Sequence, residues 1–264
     1  MQHRDSHILY RMSLEKYQIP LGSLPQKAKE ILSNDVINSD FLDFRNAKEV
    51  STGSIYQDGI YRNSSNQVLV KCSTDMKGVT PKMVDWWFAW HMPKSERYKL
   101  WHPRDHISAE LKEDRSSFKT DKEKYIGVDS YVKEYIGKKL NELCISFSEP
   151  ASFGFIDLNV NEETAICAHV RDLKRGLYVA SINHHVVQKE ERFSLMHSTF
   201  WLGMNTKFIN PLLDLVLKPI ANLKLTRKFL ISDRLAKNLM LHCYEEMQHL
   251  SEFLPSLYKD KNPY

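Results

Sequence analysis

The residues best placed to do chemistry lie near the C-terminus, between positions 233 and 253. At helical spacing, Leu239, His242, Glu246, His249 and Phe253 fall within about 40° of the direction of Leu235. Met240, Cys243, Met247, Leu250 and Leu254 extend this arc, whereas Arg234, Lys237, Glu245, Gln248 and Glu252 take the opposite side. Glu246 therefore points inward beside His242, and Glu245 is expected in solvent. Burying a carboxylate without a partner is costly. Two solutions are open: a metal ion, which an i, i+4 His–Glu pair can hold from one side, or a hydrogen bond within the pair. His249 reads as a core histidine rather than a ligand.

Three further clusters could join this face. Residues 101–106 (WHPRDH) hold His102, Asp105 and His106 beside an expected helix end, where a helix cap next to a Trp-rich core is the alternative. Glu134 shares an alternating strand face with Val132 and Ile136 and so points inward. His184 and His185 are adjacent in a strand, so at most one of them can enter a cavity. Together these clusters can supply two histidines and two carboxylates to one site. That set suits zinc, and also iron or manganese. No HExxH, GxSxG, Gly-rich phosphate loop or GxGxxG occurs, which leaves metalloprotease, serine-hydrolase and nucleotide-binding readings without support.

The elements that must position these residues follow from the pattern. A hairpin is expected around residues 63–66, with strands on either side. Thr80 and Pro81 open a helix rich in tryptophan, a second helical segment runs from 94 to 101, and residues 107–124 read as a solvated connection. Strand-forming runs fill 125–203, an apolar segment broken by Pro211 and Pro219 follows, and a long helix runs from Asp233 to about Phe253, stopped by Pro255. Segregated strands and helices mean α+β. Residues 1–50 read as a partly helical N-terminal extension, with a helix over 21–32, and 51–264 as the main domain.

Composition narrows the class. The chain has 264 residues, and its 37 basic and 33 acidic side chains leave a net charge of only +4. A nucleic-acid binder would carry a stronger basic patch, so no nucleic-acid partner is expected. No apolar run is long enough to span a bilayer, so no membrane partner is expected either. The four cysteines form no CxxC pair and three sit in apolar runs, and residues 1–12 have no signal-peptide pattern. A cytoplasmic protein with reduced, core cysteines is the expectation.

Residues 83–91 (MVDWWFAWH) and 97–106 (RYKLWHPRDH) together resemble the 2,4-diacetylphloroglucinol hydrolase and phloretin hydrolase family. The resemblance continues through 132–137, 185–187, 198–203 and 242–258. It implies a helix-grip fold, like that of START and pollen-allergen (Bet v) domains: a curved antiparallel sheet around a long C-terminal helix, here with extra N-terminal helices. It implies a zinc-dependent hydrolase, with one Zn2+ per chain, that cleaves the carbon–carbon bond between an acyl group and a phenolic ring or the corresponding bond of a β-diketone. The metal ligands it implies are His106, Glu134, His242 and Glu246. It implies catalytic roles for Tyr98 and His185 at the ring oxygens, and for Glu246 as the ligand that yields a coordination position. The partner is then a small aromatic or polyketide substrate, and a homodimer is possible. A non-catalytic helix-grip carrier of a hydrophobic aromatic ligand is the alternative. Against the family pattern, His197 and Thr199 stand where arginines are usual, and Phe200 where a substrate-binding tyrosine is expected. These departures imply a substrate other than diacetylphloroglucinol.

Overall fold

A computed structural model describes residues 14–53, 55–204 and 206–262, so the N-terminal residues read above for a signal peptide lie outside the described residues. The strands are β1 (Ile37–Asn38), β2 (Gly59–Arg62), β3 (Val68–Lys77), β4 (His106–Leu111), β5 (Asp129–Ile136), β6 (Lys139–Ser148), β7 (Glu163–Asp172), β8 (Leu177–Glu190) and β9 (Phe193–Leu202). The helices are α1 (Gln26–Ser33), α2 (Ala47–Thr52), α3 (Pro81–His91), α4 (Ser95–Trp101), α5 (Asp121–Tyr125), α6 (Pro211–Ala221), α7 (Lys224–Leu230) and α8 (Asp233–Lys261). Among the described residues, all nine strands form one sheet in the order β1-β2-β3-β9-β8-β7-β6-β5-β4. Every pairing is antiparallel except β1 with β2. The curved, open sheet wraps its inner face on α8, which is the helix-grip arrangement of an α+β fold.

Period-2 alternation decides what each face holds. On the inner face, Val70, Cys72, Ile166, Ala168, Val186, Met196 and Phe200 join Met240, Cys243, Met247 and Leu250 of α8 and the tryptophans of α3 in one core. On the outer face, Tyr61, Leu69, Ala165, Cys167 and Trp201 build a second core under α2, with Phe153 and Phe155. Thr80 caps α3 by accepting from the Met83 N–H, with Pro81 in the first turn, as its sequence predicts. The strand-forming runs over 125–203 appear as β5 to β9, and the turn at 63–66 joins β2 to β3. Residues 14–50 pack onto the main body: Leu14, Tyr17 and Ala28 belong to the inner core. Among the described residues, no helix is long and apolar enough to cross a membrane.

Three expectations need correction. Of residues 107–124, read as a solvated connection, 107–111 belong to the edge strand β4 and 121–124 to α5. Their charged outer side chains hide a strand whose register is held by β5. The long helix does not stop at Pro255 but continues to Lys261. An interior proline costs a helix about 3 kcal/mol. Leu254 and Leu257, which flank it, are fully buried, and their packing offsets that cost. The first helix begins at Gln26, with Pro25 as its cap position, rather than at 21.

Candidate metal centre and cavity

Three elements bring the inner-face donors together. α4 ends at Trp101, and the chain turns through His102 and Asp105 into β4. His106 then lies directly opposite Glu134 in the β4–β5 register, and a bulge between His106 and Ser108 breaks the alternation. The extra residue puts His106 on the same side as Ala109, toward the core. α8 supplies His242 and Glu246 one helical turn apart.

The donor atoms converge. His106 Nε2 is 3.3 Å from His242 Nε2, 3.7 Å from Glu134 Oε2 and 3.5 Å from Glu246 Oε2. His242 Nε2 is 3.7 Å from Glu246 Oε2. Ligands about 2.0–2.1 Å from a tetrahedral zinc stand about 3.3–3.4 Å apart, so the cluster has the dimensions of a metal cage. Its protonation supports the same conclusion. His106 Nδ1 lies 3.0 Å from the Tyr98 carbonyl, so it carries the hydrogen and Nε2 carries the lone pair. His242 Nδ1 lies 3.4 Å from Asp105 Oδ2, so its Nε2 faces that of His106 with either a second proton or a bound cation. Two imidazole lone pairs facing one another repel unless a proton or a cation lies between them. The two carboxylates, when ionised, match the charge of a divalent ion. The residues therefore fit a zinc-type ion.

The electrostatics of the cluster are those of buried groups without one. Burial, together with nearby His242, pushes His106 down to about 3. Burial also pulls on His242, but Asp105, Glu246 and Glu134 outweigh it and raise that imidazole to about 9. Desolvation pushes Glu246 up to about 7, against the pull of His242. Burial raises Tyr98 well above its ordinary value, and the Glu134 carboxylate beside it adds to the rise.

A second layer of polar groups holds the first. Arg104 grips the Asp105 carboxylate with Nε at 3.0 Å and Nη2 at 3.1 Å, and reaches Glu245 with Nη2 at 2.5 Å. His102 stacks on His242 at 4.7 Å, accepts from the Asp105 N–H and turns Nε2 toward Glu245. His102, Asp105 and His242 thus form a second donor group that shares one residue with the first. A carboxylate on the remote nitrogen of a ligating histidine fixes its tautomer, and Asp105 has that position. Glu245, expected in solvent, is instead mostly enclosed by Arg104 and His102, because the loop after α4 folds over that side of α8. His249 is a core histidine as expected, its nitrogens 2.9 Å from the Trp101 carbonyl and 3.0 Å from that of Ile19.

The donor cluster opens into a cavity of about 210 Å³, lined mainly by apolar side chains. Glu134, His242, Glu246 and Tyr98 line it with Phe88, Trp101, Val132, Ile182 and Phe200, and Ala221, Arg227 and Leu230 also contribute to its wall. Tyr98 stacks on His106 at 3.8 Å and donates its hydroxyl to Glu134 Oε2. His91, which drew no attention in the sequence, also lines the cavity. Its Nδ1 is 2.8 Å from the Trp87 carbonyl, and burial pushes it down to about 3, so it is a neutral imidazole. Its i−4 relation to Trp87 was a local signal that the sequence offered.

His185 does not join this site. Its side chain is on the outer face of β8, where Nε2 is 2.8 Å from Glu163 Oε2 and the ring packs on Phe155. Alternation puts His184 on the inner face, between Phe88 and Phe200, with Nδ1 2.8 Å from Ser198 Oγ. His197 and Thr199 are also on the outer face, opposite His185 and Asn183, whereas Phe200 lines the cavity.

An antiparallel sheet closed on a long helix, with an apolar cavity and a His–Glu donor group beside it, defines a helix-grip protein whose side chains could hold a metal ion. The chain belongs to the DAPG hydrolase PhiG domain family, whose model matches residues 42–259. It is 28% identical over 202 residues to phloretin hydrolase of Eubacterium ramulus, covering 73% of this chain and 68% of that enzyme. It is likewise 28% identical over 194 residues to 2,4-diacetylphloroglucinol hydrolase of a Pseudomonas species, covering 69% of this chain and 64% of that enzyme. Among solved structures, it is similar to a START superfamily protein from Mycobacterium smegmatis (TM-score 0.42, 8% identity, 70% of this chain and 98% of that one). A similar likeness exists to the Zhui aromatase/cyclase of Streptomyces sp. R1128 (TM-score 0.41, 10% identity, 71% of this chain and 94% of that one).

Proposed function

We propose that this protein is a zinc-dependent hydrolase that cleaves the carbon–carbon bond between an acyl group and a phenolic ring, or the equivalent bond of a β-diketone. The observation that carries this reading is the convergence of His106, Glu134, His242 and Glu246 at the floor of an apolar cavity. The kinship with hydrolases of phloretin and diacetylphloroglucinol supports it.

In the net reaction, water adds to the acyl carbonyl, the acyl–ring bond breaks, and the ring carbon takes up a proton to leave a carboxylic acid and a phenol. Zinc, when bound by His106, Glu134, His242 and Glu246, supplies Lewis acidity, polarising a carbonyl and bringing the pKa of water toward about 7. Of the four residues that would hold it, Glu246 is the one we assign to yield a position to water or substrate, because a catalytic zinc would need an open one. The apolar walls, Phe88, Val132, Ile182 and Phe200, hold the ring and exclude bulk water. Tyr98, whose hydroxyl already donates to Glu134, handles a proton at a substrate oxygen. The role expected for His185 at the ring oxygens is assigned instead to His91, the neutral imidazole among the residues that line the cavity.

The test combines metal and product analysis. Protein purified without added metal is expected to hold about one zinc per chain and to release carboxylic acid from a panel of acylphenols and cyclic β-diketones. Phe200 offers no hydroxyl to a ring oxygen, so polyhydroxylated acylphenols are expected to be poor substrates. Phe200→Tyr is expected to improve their turnover roughly ten- to hundredfold, the discrimination of one buried hydrogen bond. Absence of metal, or no acid release from any member of the panel, would overturn the reading.

A further inference from the structure

Helices α6 and α7, inserted between β9 and α8, have an unusual distribution of apolar residues. Ala221 is the one buried residue of α6, and α7 has none. The pair contributes Ala221, Arg227 and Leu230 to the wall of the cavity. The outer side is apolar. Leu212 and Leu215 are 76% and 78% exposed, and Leu225 and Phe229 are 81% and 86% exposed. Spacings of three and four residues align Leu212 with Leu215 and Val216 on α6, and Leu225 with Phe229 on α7. Apolar side chains at this density and exposure mark a surface that meets something.

The charge around the stripe says what that is. Residues 206–230 hold Lys207, Lys218, Lys224, Arg227 and Lys228 against a single acidic residue, Asp214, which is spent on Lys218 at 3.9 Å. A second copy of the chain docked face to face would set these cations against one another. A surface that accepts leucine and phenylalanine side chains and also carries negative charge satisfies both halves of the pattern. We propose that α6 and α7 dock the protein on an anionic lipid bilayer, with Leu212, Leu215, Leu225 and Phe229 at headgroup level and Lys224 and Lys228 on the phosphates. This is the behaviour of a basic amphipathic helix in an interface, and it needs no spanning segment. It also sets a part of the cavity wall beside the phase in which an apolar ligand dissolves. The proposal is independent of the reaction assigned to the site.

Co-sedimentation with lipid vesicles tests it. The full chain is expected to pellet with vesicles of phosphatidylcholine containing about one third phosphatidylglycerol, and weakly with phosphatidylcholine alone. The double variant Leu225→Asp/Phe229→Asp is expected to lower partitioning about tenfold or more. Lys224→Gln/Lys228→Gln is expected to lower it about fivefold per lysine, and to remove the preference for the anionic vesicles. All four side chains are exposed, so the thermal melt should not change. Failure of the unaltered protein to pellet with either vesicle, or equal pelleting of both variants, overturns the proposal. A dimer in sedimentation velocity that Leu225→Asp/Phe229→Asp converts to monomer, with no vesicle binding, assigns the face to a second copy instead.

Discussion

The two faces of the sheet each bury histidine beside glutamate, yet only one of them builds a site. On the inner face, His106 and His242 present Nε2 to each other at 3.3 Å, with Glu134 and Glu246 closing the group. On the outer face, His185 gives its Nε2 to Glu163 at 2.8 Å, and His197 gives Nδ1 to Ser73 Oγ at 2.9 Å. On the outer face each imidazole has a partner of its own, and His185 Nδ1 is left without a second one. The inner donors converge on one position, which a metal ion could hold. Residue types are the same on both faces; the convergence of the donors separates a candidate metal site from a buried ion pair.

The largest expected effect breaks that comparison at its centre. His242→Ala is expected to take the zinc content from about one per chain to none, and activity with it, whereas His185→Gln and Glu245→Ala are expected to keep the metal. Elemental analysis of the three purified variants checks this, and equal metal loss in all three would undo the assignment of the inner cluster.

A cavity histidine set against an outer-face one gives the next effect. His91→Gln is expected to lower kcat for acid release about a hundredfold, the usual share of one proton-handling group. His185→Gln is expected to change kcat little and to lower stability instead, by about 1–3 kcal/mol for the stranded Glu163 carboxylate. Steady-state kinetics and urea titration of both variants distinguish the faces, and the reverse pattern would return the role to His185.

Asp105 sharpens the comparison further, because it is the acceptor that turns the His242 lone pair inward. Asp105→Asn is expected to weaken zinc binding about ten- to hundredfold, a typical loss for such a partner, read by competition with a chelator. An unchanged affinity would mean that helix packing alone orients the imidazole.

The smallest effect is on the outer face. Burial, helped by Lys71 and other nearby cations, pushes His197 down to about 3 from its ordinary 6.5. The unfolded chain therefore binds this proton first. The contribution of the neutral imidazole is complete above about pH 6.5 and is lost progressively as the pH falls toward about 3. The urea midpoint is expected to drop between about pH 7 and pH 5, and His197→Asn to flatten that drop. A slope unchanged by the substitution would place the sensitivity elsewhere.

Much of the site was legible from local periodicity. The 3.6-residue repeat set His242 and Glu246 on the buried side of α8, and strand alternation turned Glu134 inward with Val132 and Ile136. The same rule stated that at most one of His184 and His185 can enter a cavity, and the inner-face member, His184, packs between Phe88 and Phe200. Both readings need nothing beyond the chain's own period, because every side chain of a regular element inherits its direction from its neighbours.

What local periodicity could not supply was decided by tertiary structure. Which of His184 and His185 faces inward depends on which face of β8 meets α8, a choice made by the whole sheet. His106 turns inward because of a bulge, and a bulge is a property of two paired strands rather than of one. Glu245 lost its solvent because a loop some 140 residues away in the chain brought Arg104 over it. Pro255 failed to end α8 because the buried side chains on either side outweigh one missing hydrogen bond. The sequence by itself determined the direction of each side chain within its element. The structure decided which elements meet, and so which lone pairs share a point in space, because a donor cage is a relation among segments and no one segment contains it.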